Sequence, residues 1–195
     1  MTRGNIACMA DIVRVHGTER PDHTSLIEGT QRLTWADLYG RAQRVANGFA
    51  AAGVGNQDRV AFLDMNGIPH FEVFYGAALL NAVSVDVNWR LAAPEVEYIV
   101  NNAEAKVLVV GAEFAAVVDA IAPNLTHTKL ILVVGGHGAY EDWNTWVERQ
   151  SAGDPMVPSA RDDIAFQLYS SGTTGLPKGV MLSNDNFLEI GRAHV

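Results

Sequence analysis

The chain has 195 residues, of which 48% are apolar and 18% charged, enough for about one globular domain with a sizeable core. Its formal net charge of −8, with Lys and Arg scattered, argues against general binding to nucleic acid or to an anionic membrane, both of which need clustered positive charge. The single cysteine, Cys8, excludes a disulfide framework and a cysteine-based zinc site, and the six histidines have no paired metal-ligand spacing.

In chain order, the pattern predicts a helix over residues 6–15 and a hairpin over 24–34 that turns at Glu28 and Gly29. Thr34 then N-caps a long helix, with Asp37 three residues on. Leu38, Ala42, Val45, Phe49 and Ala52 recur at helical spacing until Gly53 ends it. Strand 59–63, an apolar helix over 69–80, strand 83–87 and a helix over 94–102 follow, then strand 107–110, a helix over 112–122 stopped by Pro123, and strand 130–134. Trp143, Trp146 and Val147 mark the apolar side of a short helix, and Trp89 is a packing anchor. Residues 151–163, rich in Pro, Gly, Ser and Asp, read as an exposed connection. Residues 164–169 read as a buried strand, 180–182 as another short one, and a helix begins after Ser183 or Asn184. Strands of Val, Ile and Leu with helices between them imply an α/β fold, a mostly parallel sheet with helices on both faces and ligands at its strand ends. The longest uncharged apolar run, 73–85, is too short for a bilayer, which needs about 20 residues. With no signal peptide apparent, a cytoplasmic protein is expected.

The most chemically explicit stretch is YSSGTTGLPKG, residues 169–179. Ser170, Ser171, Thr173 and Thr174 offer hydroxyl donors, while Gly172, Gly175 and Gly179 let backbone approach a ligand closely. Lys178 adds a positive charge on a flexible stem. Amides in such a loop can form an anion-binding nest, so the combination suits a polyphosphate. A Walker-type loop is disfavoured: a strand, not a helix, is predicted to follow, Pro177 falls where that motif needs its second glycine, and Gly179 comes after the lysine. The competing reading is an ordinary solvated turn between two apolar strands.

YSSGTTGLPKGV resembles the signature loop of the adenylate-forming (AMP-binding) superfamily, which includes acyl-CoA synthetases, luciferases and peptide-synthetase adenylation domains. LTWADL at 33–38, the run 74–91 ending in NWRL, and the adjoining AAPEVEYIV resemble acyl-CoA synthetase segments in matching order. The family often has Gly at Asn81 or its neighbour and Pro at Asp86; neither is found here. The resemblance implies that residues 1–188 are the incomplete amino-terminal part of the large adenylation domain. It implies an acid–CoA ligase that joins a carboxylic acid, a fatty acid above all, to AMP and then to coenzyme A, using ATP and Mg²⁺. The nucleotide would be held by Ser170, Ser171, Gly172, Thr173, Thr174, Gly175, Lys178 and Gly179, with Thr174 and Lys178 catalytic. Alternatives are carrier-protein loading, luciferase-like chemistry, or a non-catalytic nucleotide-binding fragment. Residues 189–195, EIGRAHV, back-translate to bases resembling a sequencing adapter and are read as artefact. By itself the chain is expected to be inactive and poorly soluble or partly folded, with packing partners missing.

Overall fold

The structure, a computed structural model, describes residues 6–170 and 175–192. Helix α1 (Met9–Glu19) starts where the Asp11 carboxylate accepts the amides of Ala7 and Cys8 at 2.9 and 3.1 Å, satisfying donors that a helix start leaves free. It runs beyond the predicted end, and within the extension His16 packs its ring 4.8 Å from Trp35. Strands β1 (Thr24–Glu28) and β2 (Gln31–Thr34) form the expected antiparallel hairpin and lead into α2 (Trp35–Ala51). Thr34 and Asp37 cap that helix reciprocally: the Asp37 amide donates to Thr34 Oγ1 at 3.1 Å, and the Thr34 amide donates to Asp37 Oδ2 at 2.9 Å.

The remaining elements, in chain order, are β3 (Arg59–Leu63), α3 (Ile68–Leu79), β4 (Val83–Asp86), α4 (Ala93–Asn102), β5 (Ala105–Gly111), α5 (Ala115–Ile121), β6 (Leu130–Val134), β7 (Glu141–Asp142), α6 (Trp143–Glu148), β8 (Ile164–Ser170), β9 (Lys178–Ser183) and α7 (Asn184–Arg192). Among the described residues they build a seven-stranded sheet in the order β7-β6-β5-β3-β4-β8-β9. Every neighbouring pair is parallel except β8 with β9. Side chains alternate across each strand. Val60 and Phe62 join the core beneath α1, α2, α3 and α6, whereas Ala61 and Leu63 join the core beneath α4 and α5. The mostly parallel α/β sheet covered on both faces is therefore the one expected. The short β7 has no counterpart in the sequence reading, and the helix predicted over 112–122 tightens into 3₁₀ turns at both ends, Ala112–Phe114 and Ala122–Asn124.

Three polar knots fix this framework. The Glu72 side chain, in α3, is buried and takes the Arg41 guanidinium from α2 and the Trp143 indole N–H from α6, the latter at 2.8 Å. Beside it α2 and α3 approach closely because Gly76 has no side chain: a Cβ there would lie 2.3 Å from Val45 Cγ1.

Asn81 ends α3 in the left-handed region, at φ +51. The amides of Ala82 and Asn81 donate to the carbonyls of Ala77 and Ala78 at 2.9 and 3.0 Å, the bonding of a Schellman turn. Asparagine tolerates a conformation usually given to glycine. Its amide also donates to Asn56 Oδ1 and Asp163 Oδ2 at 2.6 and 2.7 Å and accepts from Ser159 Oγ at 2.7 Å. At the other departure from the family pattern, Asp86 Oδ2 lies 2.8 Å from His70 Nε2, whose ring stacks on Phe62 at 5.0 Å.

The third knot corrects a sequence expectation. Residues 151–163 lack regular structure, but they are not simply an exposed connection. The Asp154 side chain is only 6% exposed, accepting Arg14 Nε and Nη2 at 2.7 and 3.0 Å, the Tyr39 hydroxyl at 2.8 Å and the Met156 amide at 2.7 Å. Loop composition could not reveal this, because the partners lie far away in sequence. Burial alone would raise the Asp154 carboxyl, but the bonds from Arg14, Met156 and Tyr39 outweigh it and hold the group below its ordinary value.

Truncating one partner of a buried ion pair strands the other, so Glu72→Ala is expected to destabilise the chain by about 3 kcal/mol in urea unfolding, and a loss under about 1 kcal/mol would show that the pair contributes no more than a surface one. Asp154 titrates lower when folded than when unfolded. Its contribution is thus complete above the unfolded value, about 3.9, and is lost as pH falls through the folded value. Asp154→Asn is expected to flatten the loss of stability below about pH 4; an identical acid limb in both proteins contradicts this.

Candidate functional site

The candidate site grows from β8, which is held progressively less tightly along its length. At its start the Gln57 side chain imitates a neighbouring strand. Its Oε1 accepts the Ile164 amide and its Nε2 donates to the Ile164 carbonyl, both at 3.1 Å. In the middle, β8 pairs with β4 from Phe166 opposite Ser84 to Leu168 opposite Asp86. Beyond that point Tyr169 and Ser170 overhang β4 and pair only with β9, opposite Gly179 and Lys178. The stem thus overhangs β4 at the carboxyl ends of the parallel strands, where open α/β sheets bind ligands.

Ser170 and Lys178 face each other as Cα partners at the end of this stem, and both are exposed. Gly179 follows, opposite Tyr169. Gly175 opens the described part of the second arm at φ +153, a conformation reserved almost entirely for glycine. Ser171, Gly172, Thr173 and Thr174 lie outside the described residues. The structure therefore brings together four of the eight residues singled out in the sequence, Ser170, Gly175, Lys178 and Gly179, and a strand does follow the loop, in keeping with rejection of a Walker-type motif.

Sequence reasoning missed the residues behind this stem. Gln167, a buried amide in β8, receives Arg59 Nε on its Oε1 at 3.5 Å and donates from Nε2 to the Tyr169 hydroxyl at 2.9 Å. Tyr169 in turn donates to Asn102 Oδ1 of α4 at 2.7 Å. Burial raises the Tyr169 phenol above its ordinary value against the opposing Gln167 bond, keeping the proton that this donation needs. The available signal was a glutamine in the middle of an apolar strand. Gly179 lies directly against this chain of bonds: a Cβ on it would sit 2.8 Å from Gln167 Nε2 and 3.4 Å from Tyr169 Cζ. Beside the stem, Tyr98 and Asn102 face residues 175–179 across an open groove of about 520 Å³.

The expectation that residues 164–169 form a buried strand holds at Ala165, Phe166 and Gln167 and fails at Leu168. Leu168 is 40% exposed and its partner Val180 44%, while Met181, on the other face of β9, is 54% exposed; β9 is the last strand of the described sheet. Among the described residues no group of three or more His, Cys, Asp or Glu can hold a metal ion, and no helix is long and apolar enough to cross a membrane.

Residues 13–194 match the model of the AMP-binding enzyme family. The chain belongs to that family. It is 36% identical over 183 residues to the long-chain-fatty-acid–CoA ligase FadD13 of Mycobacterium tuberculosis, covering 90% of this chain and 35% of the relative. It is 34% identical to the fatty acid–[acyl-carrier-protein] ligase ScoC of Streptomyces coeruleorubidus, covering 90% and 33%. Among solved structures, the anthranilate CoA ligase AuaEII in complex with anthranoyl-AMP superposes with a TM-score of 0.86 at 29% identity, covering 95% of this chain and 36% of that one. The chain thus spans about a third of the length of the relatives it matches.

Within this AMP-binding chain, Gly179→Ala is expected to displace the Gln167 amide and lower stability by about 1 kcal/mol, the low end of overpacking costs. Thermal unfolding checks it, and an unchanged midpoint would mean that Gln167 and Tyr169 yield freely.

Proposed function

We propose that this chain is the amino-terminal part, residues 1–188, of an ATP-dependent carboxylic acid–CoA ligase, and that the loop at the β8–β9 stem holds the nucleotide phosphates. The observation that supports it most is the placement of Ser170 opposite Lys178 on a stem that overhangs β4 at the carboxyl ends of the parallel strands, inside the string YSSGTTGLPKG. The exposed lysine, the paired serine and the glycine-only backbone at Gly175 fit a polyphosphate. The described residues offer no carboxylate cluster for Mg²⁺, so no step is assigned to the metal.

The reaction begins as a charge problem. A carboxylate oxygen attacks the α-phosphorus of ATP, the bond to the bridging oxygen breaks, and pyrophosphate leaves with the negative charge. Donors fixed around the β- and γ-phosphates favour that transition state over the ground state. Ser170, Ser171, Thr173 and Thr174 clasp these oxygens with the amides of Gly172, Gly175 and Gly179, and Lys178 follows the departing pyrophosphate. Thr174 and Lys178 therefore bear most directly on the chemical step. The thiol of coenzyme A then attacks the acyl-adenylate and releases AMP. The relatives' names favour a carboxylic acid substrate of the fatty or aryl type; a cytoplasmic location is part of the proposal. A carrier-protein thiol is the second reading, and ScoC, a ligase named for that acceptor, is the observation that keeps it. We also propose that residues 189–195 are adapter-derived sequence, although the family match continues to residue 194.

Reading the locus through the codon for Leu188 into an open frame that departs from GRAHV is the expected result; a genomic sequence encoding GRAHV overturns the adapter assignment, and a stop codon there overturns the ligase. In the full-length protein, Lys178→Ala is expected to slow carboxylate-dependent ATP–pyrophosphate exchange at least about tenfold, given about 2.7–4 kcal/mol per preorganised donor in other enzymes. An unchanged exchange rate removes Lys178 from the mechanism.

A further inference from the structure

The stem of the phosphate loop should wander, judged by its backbone alone. Tyr169 and Ser170 have passed the end of β4 and pair only with β9, the last strand of the sheet. A two-stranded ribbon is marginally ordered in water, and the apolar side chains of Leu168, Val180 and Met181 are about half exposed rather than packed around it. Yet a loop that stabilises a transition state by preorganised donors must start from a fixed place. The described hydrogen bonds show what can supply it. They run Arg59 to Gln167 at 3.5 Å, Gln167 to Tyr169 at 2.9 Å and Tyr169 to Asn102 at 2.7 Å, linking β3, β8 and α4. Arg59 is itself oriented by donating from Nη1 to the Gln57 carbonyl at 2.8 Å. The relay touches both arms of the stem, through Tyr169 on the first and through Gly179, which lies against Gln167 and Tyr169, on the second.

We propose that the Arg59–Gln167–Tyr169–Asn102 relay is the positioning device of the phosphate loop, with the Tyr169–Asn102 bond setting where Ser170 and Lys178 meet the nucleotide. Tyr169 and Asn102 are positioning residues and need not touch ATP. The inference rests on the nucleotide-binding reading of the loop. It distinguishes Tyr169 from an ordinary packing residue, because packing survives the loss of a hydroxyl and positioning does not.

The test uses the full-length protein and ATP–pyrophosphate exchange, with the KM for ATP and the KM for the carboxylic acid measured separately. Tyr169→Phe keeps the ring and removes the tether, and is expected to raise the KM for ATP about three- to tenfold, the reach of one hydrogen bond, with the KM for the acid and the melting temperature nearly unchanged. Asn102→Leu removes the acceptor from the exposed side and is expected to do the same, whereas Asn102→Gln keeps a neutral acceptor and is expected to stay near the wild-type KM for ATP. An unchanged KM for ATP in both Tyr169→Phe and Asn102→Leu overturns the proposal, as does an equal rise in both KM values, which reports general damage. If Tyr169→Phe does not fold, the two Asn102 variants decide. Absence of exchange in the wild-type protein with a panel of fatty and aryl acids sinks the nucleotide-binding reading, and this inference with it. A wild-type rate with insensitive variants sinks the inference alone.

Discussion

The constraint on which this structure turns is that β8 is parallel to one neighbour and antiparallel to the other. A parallel strand must be reached by a crossover, and here residues 151–163 make the return from α6. An antiparallel partner can follow after a short loop, and that loop carries the candidate site. The polar knots around β8 follow from this role. Asn81, Asp163 and Gln57 fasten its start, and Asp154 holds the approaching segment against α1 and α2. The buried Asn184 side chain at the start of α7 accepts the Met9 amide at 2.9 Å and donates to the Ala160 carbonyl at 2.9 Å. The described bonds to β8 are thus concentrated where the strand enters the sheet.

Much of the fold was legible because local chemistry and tertiary packing agree. Thr34 with Asp37 states a helix start in four residues, and both strands 59–63 and 130–134 match their observed limits. Where the sequence was silent, the deciding interactions are remote. Nothing near Asp154 announces that Arg14 and Tyr39 will surround it, and Asn81 looks like a polar interruption until its positive φ and its bonds to Asn56, Ser159 and Asp163 are seen together. The two residues of β7 are too few to carry a period. The loop was the opposite case: Ser170, Gly175, Lys178 and Gly179 were legible as chemistry, but their common place on an overhanging stem was not, because register depends on where β4 stops.

The exposed apolar residues on β8 and β9 have a physical cost. An unpaired edge strand carrying Val180 and Met181 presents both free backbone groups and hydrophobic side chains, a combination that templates aggregation unless covered or charged. Lys178 charges one end of β9, but its middle has no such protection among the described residues. Leu168 extends the same apolar character onto β8. A net charge of −8 does not offset this, because net charge restrains distant approach while an edge strand acts at contact.

That same negative charge bears on the proposed binding of a polyphosphate. The net field of this chain opposes an anion, so steering over long distances does not help. On the proposed reading, binding comes from groups that act over a few ångströms: amide dipoles, hydroxyls and the ammonium of Lys178. Short-range donors are strongly sensitive to geometry, because a hydrogen bond misplaced by a fraction of an ångström loses much of its energy and a screened charge does not. An acidic protein that binds phosphates in this way therefore depends on rigid placement more than a basic one would. In this chain rigid placement is hardest to obtain at the overhang of β8, where backbone pairing on one side has ended and the side chains of Gln167, Tyr169 and Asn102 take over its role.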